Sequence, residues 1–218
     1  MHEKKQSKTK KKTFWISGGR RRADPGSSVK SEKRREEILA AALKMFSEKG
    51  YDRTSVKDIG EEAGMLAGSL YYHIRSKDDL LYEILSDLHR FALTVTTTIE
   101  SVGGQAIEKL RLVVRYHVKN LDLPRMRLFD AEFRHLSVER HKKIVNMRRE
   151  YFRYCVRLIE DAKNEGDCDK DVNARATALA MLGLLNSMPH WFNPAGSITA
   201  EQLAETCDRL LIRSLRSS

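Results

Sequence analysis

A chain of 218 residues with a formal charge of +10 at neutral pH is long enough for one or two domains with a proper core. Its 41% hydrophobic and 32% charged residues exclude an intrinsically disordered polymer. The charge is uneven: residues 1–35 hold 13 of the 40 basic side chains and three of the 30 acidic ones, so residues 36–218 are neutral overall. Such an arm suits a polyanion.

The longest apolar run, Ala178 to Leu185, falls short of the ~18 residues of a membrane-spanning helix, so no membrane partner is expected. Thr13-Phe14-Trp15-Ile16 is too short for a secretory signal, and Gly18-Gly19-Arg20-Arg21-Arg22 follows it. Cys155, Cys168 and Cys207, odd in number and widely spaced, make no disulfide framework. A cytoplasmic location is expected.

In chain order, residues 1–30 read as a flexible basic arm ending in Asp24-Pro25-Gly26-Ser27-Ser28. Ser31 is the expected N-cap of a first helix, with Ile38, Ala41, Ala42, Met45 and Phe46 at helical spacing and Gly50 as its stop. Thr54 is read as the cap of a short second helix holding Val56, Ile59 and Ala63. Gly64 then makes a left-handed turn into a third helix from about Leu66 to His73. Ser76 caps a long helix whose first turn carries Asp78 and Asp79, favourable at a helix N-terminus. Helical periods follow over 105–120, 126–135, 137–164, 173–188 and 199–215, with Pro189 and Pro194 placed in one late loop. The expected fold is all-α with about nine helices. Its divisions are an arm (1–30), a three-helix helix-turn-helix domain (31–78) and a helical second domain (79–218).

The most informative stretch runs from Thr54 to Lys77. Val56, Ile59, Ala63, Met65, Leu70 and Ile74 can close a small core with Ile38, Leu39, Ala42 and Phe46 of the first helix. Their outer neighbours Ala67, Gly68, Ser69, Tyr71, Tyr72 and His73 are small or hydrogen-bonding, as a helix lying in a DNA major groove requires. Residues 34–80 resemble the DNA-binding domain of the TetR (tetracycline-repressor-like) regulators. The matches are Ile38, Ala41, Ala42, Phe46, Gly50, Thr54, Ile59, Ala63-Gly64, Gly68 through His73, Lys77 and Leu80; Ile74 departs from the family's usual Phe. The resemblance implies a homodimeric regulator of a double-stranded DNA operator, with a second domain that binds a small effector and dimerises through its last two helices. It also implies DNA contacts from Thr54, Ser55, Ala67, Gly68, Ser69, Tyr71, Tyr72, His73 and Lys77, and the charge distribution adds Arg34 and Arg35, which can reach phosphate or the minor groove.

In the second half, the segment 173–188 is apolar nearly all round and must be covered on every face. With the last helix it forms the expected dimer interface: Ala180, Gly183, Leu184, Leu203, Leu210, Leu211 and Ser214. The run Trp191-Phe192-Asn193-Pro194-Ala195-Gly196 is similar to a connection in TetR members that sense acyl-CoA thioesters. Met126, Phe129, Phe133, Tyr151, Met181 and Trp191 are the expected apolar pocket lining, with Arg148 and Arg149 for a CoA head group. No metal-ligand spacing, phosphate loop or nucleophile motif is present, so neither an enzyme nor a cofactor is expected. The competing reading is a non-specific nucleic-acid-binding or architectural protein acting through the arm.

Overall fold

The computed structural model describes residues 25–215, and among these the chain forms nine α-helices and no strand. They are α1 (Pro25–Lys49), α2 (Val56–Glu62), α3 (Ala67–Leu70), α4 (Lys77–Val102), α5 (Ala106–Lys119), α6 (Leu123–Glu132), α7 (Val138–Glu165), α8 (Ala174–Trp191) and α9 (Ala200–Leu211). Single 3-10 turns, Phe133–His135 and Arg213–Leu215, follow α6 and α9.

Capping chemistry sets most of these boundaries. Ser76, Asn173 and Thr199 accept hydrogen bonds from the backbone N–H of Asp79 (3.0 Å), Ala176 (3.0 Å) and Gln202 (3.1 Å). Three expectations need correction. Helix α1 begins at Pro25 rather than after Ser31, since a proline is pre-organised for a first turn. The last six residues of the expected arm are therefore helical, and residues 1–24 lie outside the described residues. Ser55, not Thr54, caps α2, in a reciprocal box with Asp58. Pro189 lies inside α8 rather than in a loop, and its carbonyl accepts from Arg127 Nε at 3.0 Å.

Two hydrophobic cores result. The smaller unites Ile38, Leu39, Ala42 and Phe46 of α1 with Ile59, Leu70, Ile74 and the first half of α4. Leu128, Leu136 and Ile144 of the second half also belong to it. The larger joins Val95 and Ile99 of α4 to the inner faces of α5, α7, α8 and α9. Packing therefore runs on past residue 78, and the change of core comes within α4, between Leu85 and Val95.

Candidate nucleic-acid interface

The turn between α2 and α3 is built around Gly64, whose φ of +64° is one that a side chain disfavours. Met65 N donates to Gly60 O at 2.8 Å, closing the turn. Regular helix in the recognition segment covers only Ala67–Leu70, half the expected length. Turn bonds then carry the chain on, a tight one from His73 N to Leu70 O (2.9 Å) and one of α-helical spacing from Ile74 N to the same carbonyl (3.1 Å). Leu70 and Ile74 anchor this segment inward, while Gly68, Ser69, Tyr71 and Tyr72 face solvent, Tyr72 at 92% exposure. The result is a short, rigidly seated ridge of small and hydroxyl-bearing groups.

The structure sorts the other expected DNA contacts. Ser55 is exposed at the start of α2, where its hydroxyl engages Asp58. Asp58 bonds Lys49 and Ser55, which hold its carboxyl well below the usual range. Thr54, by contrast, is 1% exposed, and its hydroxyl donates to Met45 O (3.1 Å) and Gly50 O (2.8 Å). It ties the end of α1 to the loop and has no hydroxyl left for a phosphate. Arg35 is turned inward: its Nε meets Glu83 at 2.8 Å and its Nη1 donates to the His73 carbonyl at 3.0 Å. Arg34 pairs with Glu37 at 2.6 Å on the surface, and His73 is half-buried. Lys77 Nζ donates to Tyr51 O at 2.8 Å and lies 4.2 Å from that ring's centroid, fastening α4 to the α1–α2 loop.

A second set of contacts, not foreseen from sequence, fastens this unit to the rest of the chain. The Glu132 carboxylate accepts from Tyr51 N at 3.1 Å, and His135 lies 3.4 Å from Asp52 and 5.3 Å from the Tyr51 ring. Arg140 of α7 bridges Asp78 (2.9 Å) and Asp79. These residues are tens of positions apart, so no local pattern announces them. They join the end of α6 and the start of α7 to the α1–α2 loop and to the first turn of α4.

The expected pocket residues fall into two places. Phe129 and Phe133 stack at 4.5 Å; the Arg148 guanidinium lies 5.4 Å from the Phe129 centroid, and His89 meets the same ring edge-on at 5.1 Å. Burial depresses His89 to about 4, assisted by Arg148, and its Nε2 has no partner among the described residues. Tyr151 and Met181 instead pack in the larger core. Trp191 is half-exposed, its indole N–H donating to Ser187 Oγ at 3.1 Å, while Met126 is half-buried and Arg149 exposed. Two open clefts, of about 370 Å³ along α9 and about 570 Å³ between α1 and α2, are lined by none of these residues. Of the expected dimer residues, Ala180, Gly183, Leu210 and Ser214 are exposed, and Leu184 and Leu211 are half-buried. Leu203, expected at the dimer interface, is instead buried in its own protomer's core. Leu179, next to Ala180 on α8, is 63% exposed.

Two family models match the chain: "Bacterial regulatory proteins, tetR family" over residues 38–84 and "Tetracyclin repressor-like, C-terminal domain" over residues 103–215. The HTH-type transcriptional repressor KstR2 of Mycolicibacterium smegmatis is 24% identical over 190 residues, 83% of this chain and 90% of that protein. The solved structure of the ketosteroid transcriptional regulator KstR2 of Mycobacterium tuberculosis superposes with a TM-score of 0.77 at 23% identity, covering 85% and 96% of the two chains. That of AibR in complex with isovaleryl coenzyme A and operator DNA gives 0.71 at 24% identity, covering 82% and 98%.

Proposed function

Since the chain belongs to the TetR family and is a transcriptional regulator rather than an enzyme, we propose that it is a homodimeric repressor of a palindromic operator, released by a small hydrophobic effector. The observation that carries this reading is the exposed ridge Gly68–Tyr72, seated on a core that the α6–α7 segment also enters. The exposure of Ser55, Gly68, Ser69, Tyr71 and Tyr72 supports a DNA contact from each. The uncovered face of α8 and α9, where Leu179, Ala180, Gly183 and Leu210 are exposed, supports dimerisation there. Two copies joined there would present paired recognition segments to two half-sites.

The effector site we assign lies between α4, α6 and α7, where His89, Phe129, Phe133 and Arg148 gather. An acyl group inserted against Phe129 and Phe133 would move α6, and with it the Glu132 contact to Tyr51. The class of effector we favour is an acyl-CoA thioester, because the exposed cations Arg148, Arg149, Arg153 and Arg157 follow one another along α7 and can meet phosphates. The isovaleryl-CoA complex of the AibR neighbour supports that choice. Release requires that the ligand bind the DNA-incompetent state more tightly. The test is fluorescence anisotropy of the protein–operator complex titrated with an acyl-CoA series and the matching free acids. Thioesters are expected to release DNA and acids to fail, and Arg148→Glu/Arg149→Glu should lose the response by about tenfold or more. Equal release by both ligand classes would leave a plain hydrophobic effector.

A further inference from the structure

The N-cap of the recognition helix is Leu66, a residue type with no oxygen to accept the orphan N–H groups of a first turn. Its side chain makes no cap bond and is 82% exposed. Ser55, Ser76, Asp122, Asn173 and Thr199 supply side-chain caps to α2, α4, α6, α8 and α9; Gln105 of α5 and Ser137 of α7 make no cap bond either, but both are polar. A leucine here therefore forfeits a cap and leaves an apolar group in water, two local costs with no return inside the protomer. Single exposed leucines are ordinary. This one is not single: of eleven large hydrophobics exposed among the described residues, Leu66, Tyr71 and Tyr72 fall within seven positions. Tyr71 and Tyr72 belong to the exposed ridge, and Leu66 stands at its N-terminal end.

We propose that Leu66 is a specificity-determining residue, reading the C5-methyl group of a thymine in the major groove. This rests on the operator reading above. The methyl is the one apolar feature of a base edge in that groove, and residues at the start of a recognition helix are those that reach base edges. A leucine at this position satisfies both conditions, and a serine cap would meet the second alone.

The experiment uses the duplex that the wild-type chain enriches from a random pool, with each thymine replaced in turn by deoxyuridine, which lacks only the methyl. One thymine per half-site is expected at which deoxyuridine weakens the wild-type protein about fourfold, the worth of one buried methyl group. Leu66→Ser and Leu66→Ala should bind that duplex more weakly and be indifferent to the same replacement. Leu66→Ser gains a cap, so its melting temperature should be unchanged or raised, which separates lost recognition from lost folding. Equal deoxyuridine effects in wild type and both variants, or none in wild type, overturn the assignment while leaving the operator reading intact. Failure of the wild type to enrich any sequence overturns both.

Discussion

Tyr72 and Lys77 occupy the same expected DNA-contact set, yet they do different things. Tyr72 is 92% exposed, and its side chain makes no hydrogen bond or ring contact among the described residues, whereas Lys77 bonds the Tyr51 carbonyl and covers its ring. Tyr72→Ala should weaken operator binding by about tenfold and leave melting unchanged. Lys77→Met keeps the stem but loses the hydrogen bond and the charge, and should lower the melting temperature by a few degrees, since ~1–2 kcal/mol shifts a protein of this size by ~2–4 °C per kcal/mol. Thermal melts beside anisotropy titrations separate the two. Equal melting of both variants would return Lys77 to a purely DNA-facing role. The identity of each residue was legible in the sequence. Its partner was not, because Tyr51 lies 26 positions from Lys77 and only the folded loop brings its carbonyl within reach.

At the scale of the element, α8 tests the assembly. One side packs Ala174, Ala178, Met181, Leu185 and Met188 into the larger core, and the other leaves Leu179, Ala180 and Gly183 uncovered. A Cβ built at Gly183 meets nothing within 4 Å, so the protomer has room for a long side chain there. Gly183→Arg should therefore leave helix content intact, halve the sedimenting mass and reduce affinity for a two-half-site operator by about a hundredfold, as expected when a bivalent contact becomes monovalent. A variant that remains a dimer would move the interface elsewhere. Element positions were largely readable, since Ser76, Asn173 and Thr199 are polar caps ahead of periodic apolar runs. The misreadings have physical causes. Asp122 with Pro124 starts α6 ahead of the expected Met126, and tertiary packing carries α8 through Pro189.

For the whole molecule, two histidines couple stability to pH. Burial holds His89 and His117 at about 4, against an ordinary 6.5. Each stays neutral in the folded chain at pH values where the unfolded chain is already protonated. Their contribution is full above pH 6.5 and is lost as pH falls towards 4, with a slope of up to ~1.4 kcal/mol per pH unit for each group. Denaturant titrations from pH 7 to 4.5 should show stability falling throughout, and His89→Leu should remove up to half of the histidine part of that slope. An unchanged slope in His89→Leu would mean that His89 is protonated in the folded state.

Helical period, capping residues and the Gly64 turn are local properties, and from them the sequence established an all-α chain, a helix-turn-helix and the part of its small core that lies between Ile38 and Ile74. Those features depend on spacing along a few turns, where side-chain chemistry and backbone geometry act directly. Which polar groups remain free was decided only in three dimensions. Arg35 and Lys77 are drawn inward by partners distant in sequence and Thr54 by the nearby carbonyls of Met45 and Gly50, while Ser55, Tyr72 and Leu66 are left facing out. The division of Phe129 and Met181 between two cores, and the Tyr51–Glu132 contact that joins the halves, arise from packing between helices far apart in the chain. A hydrogen-bonding group shows its type in the sequence, but whether it is already satisfied depends on neighbours that only the fold supplies.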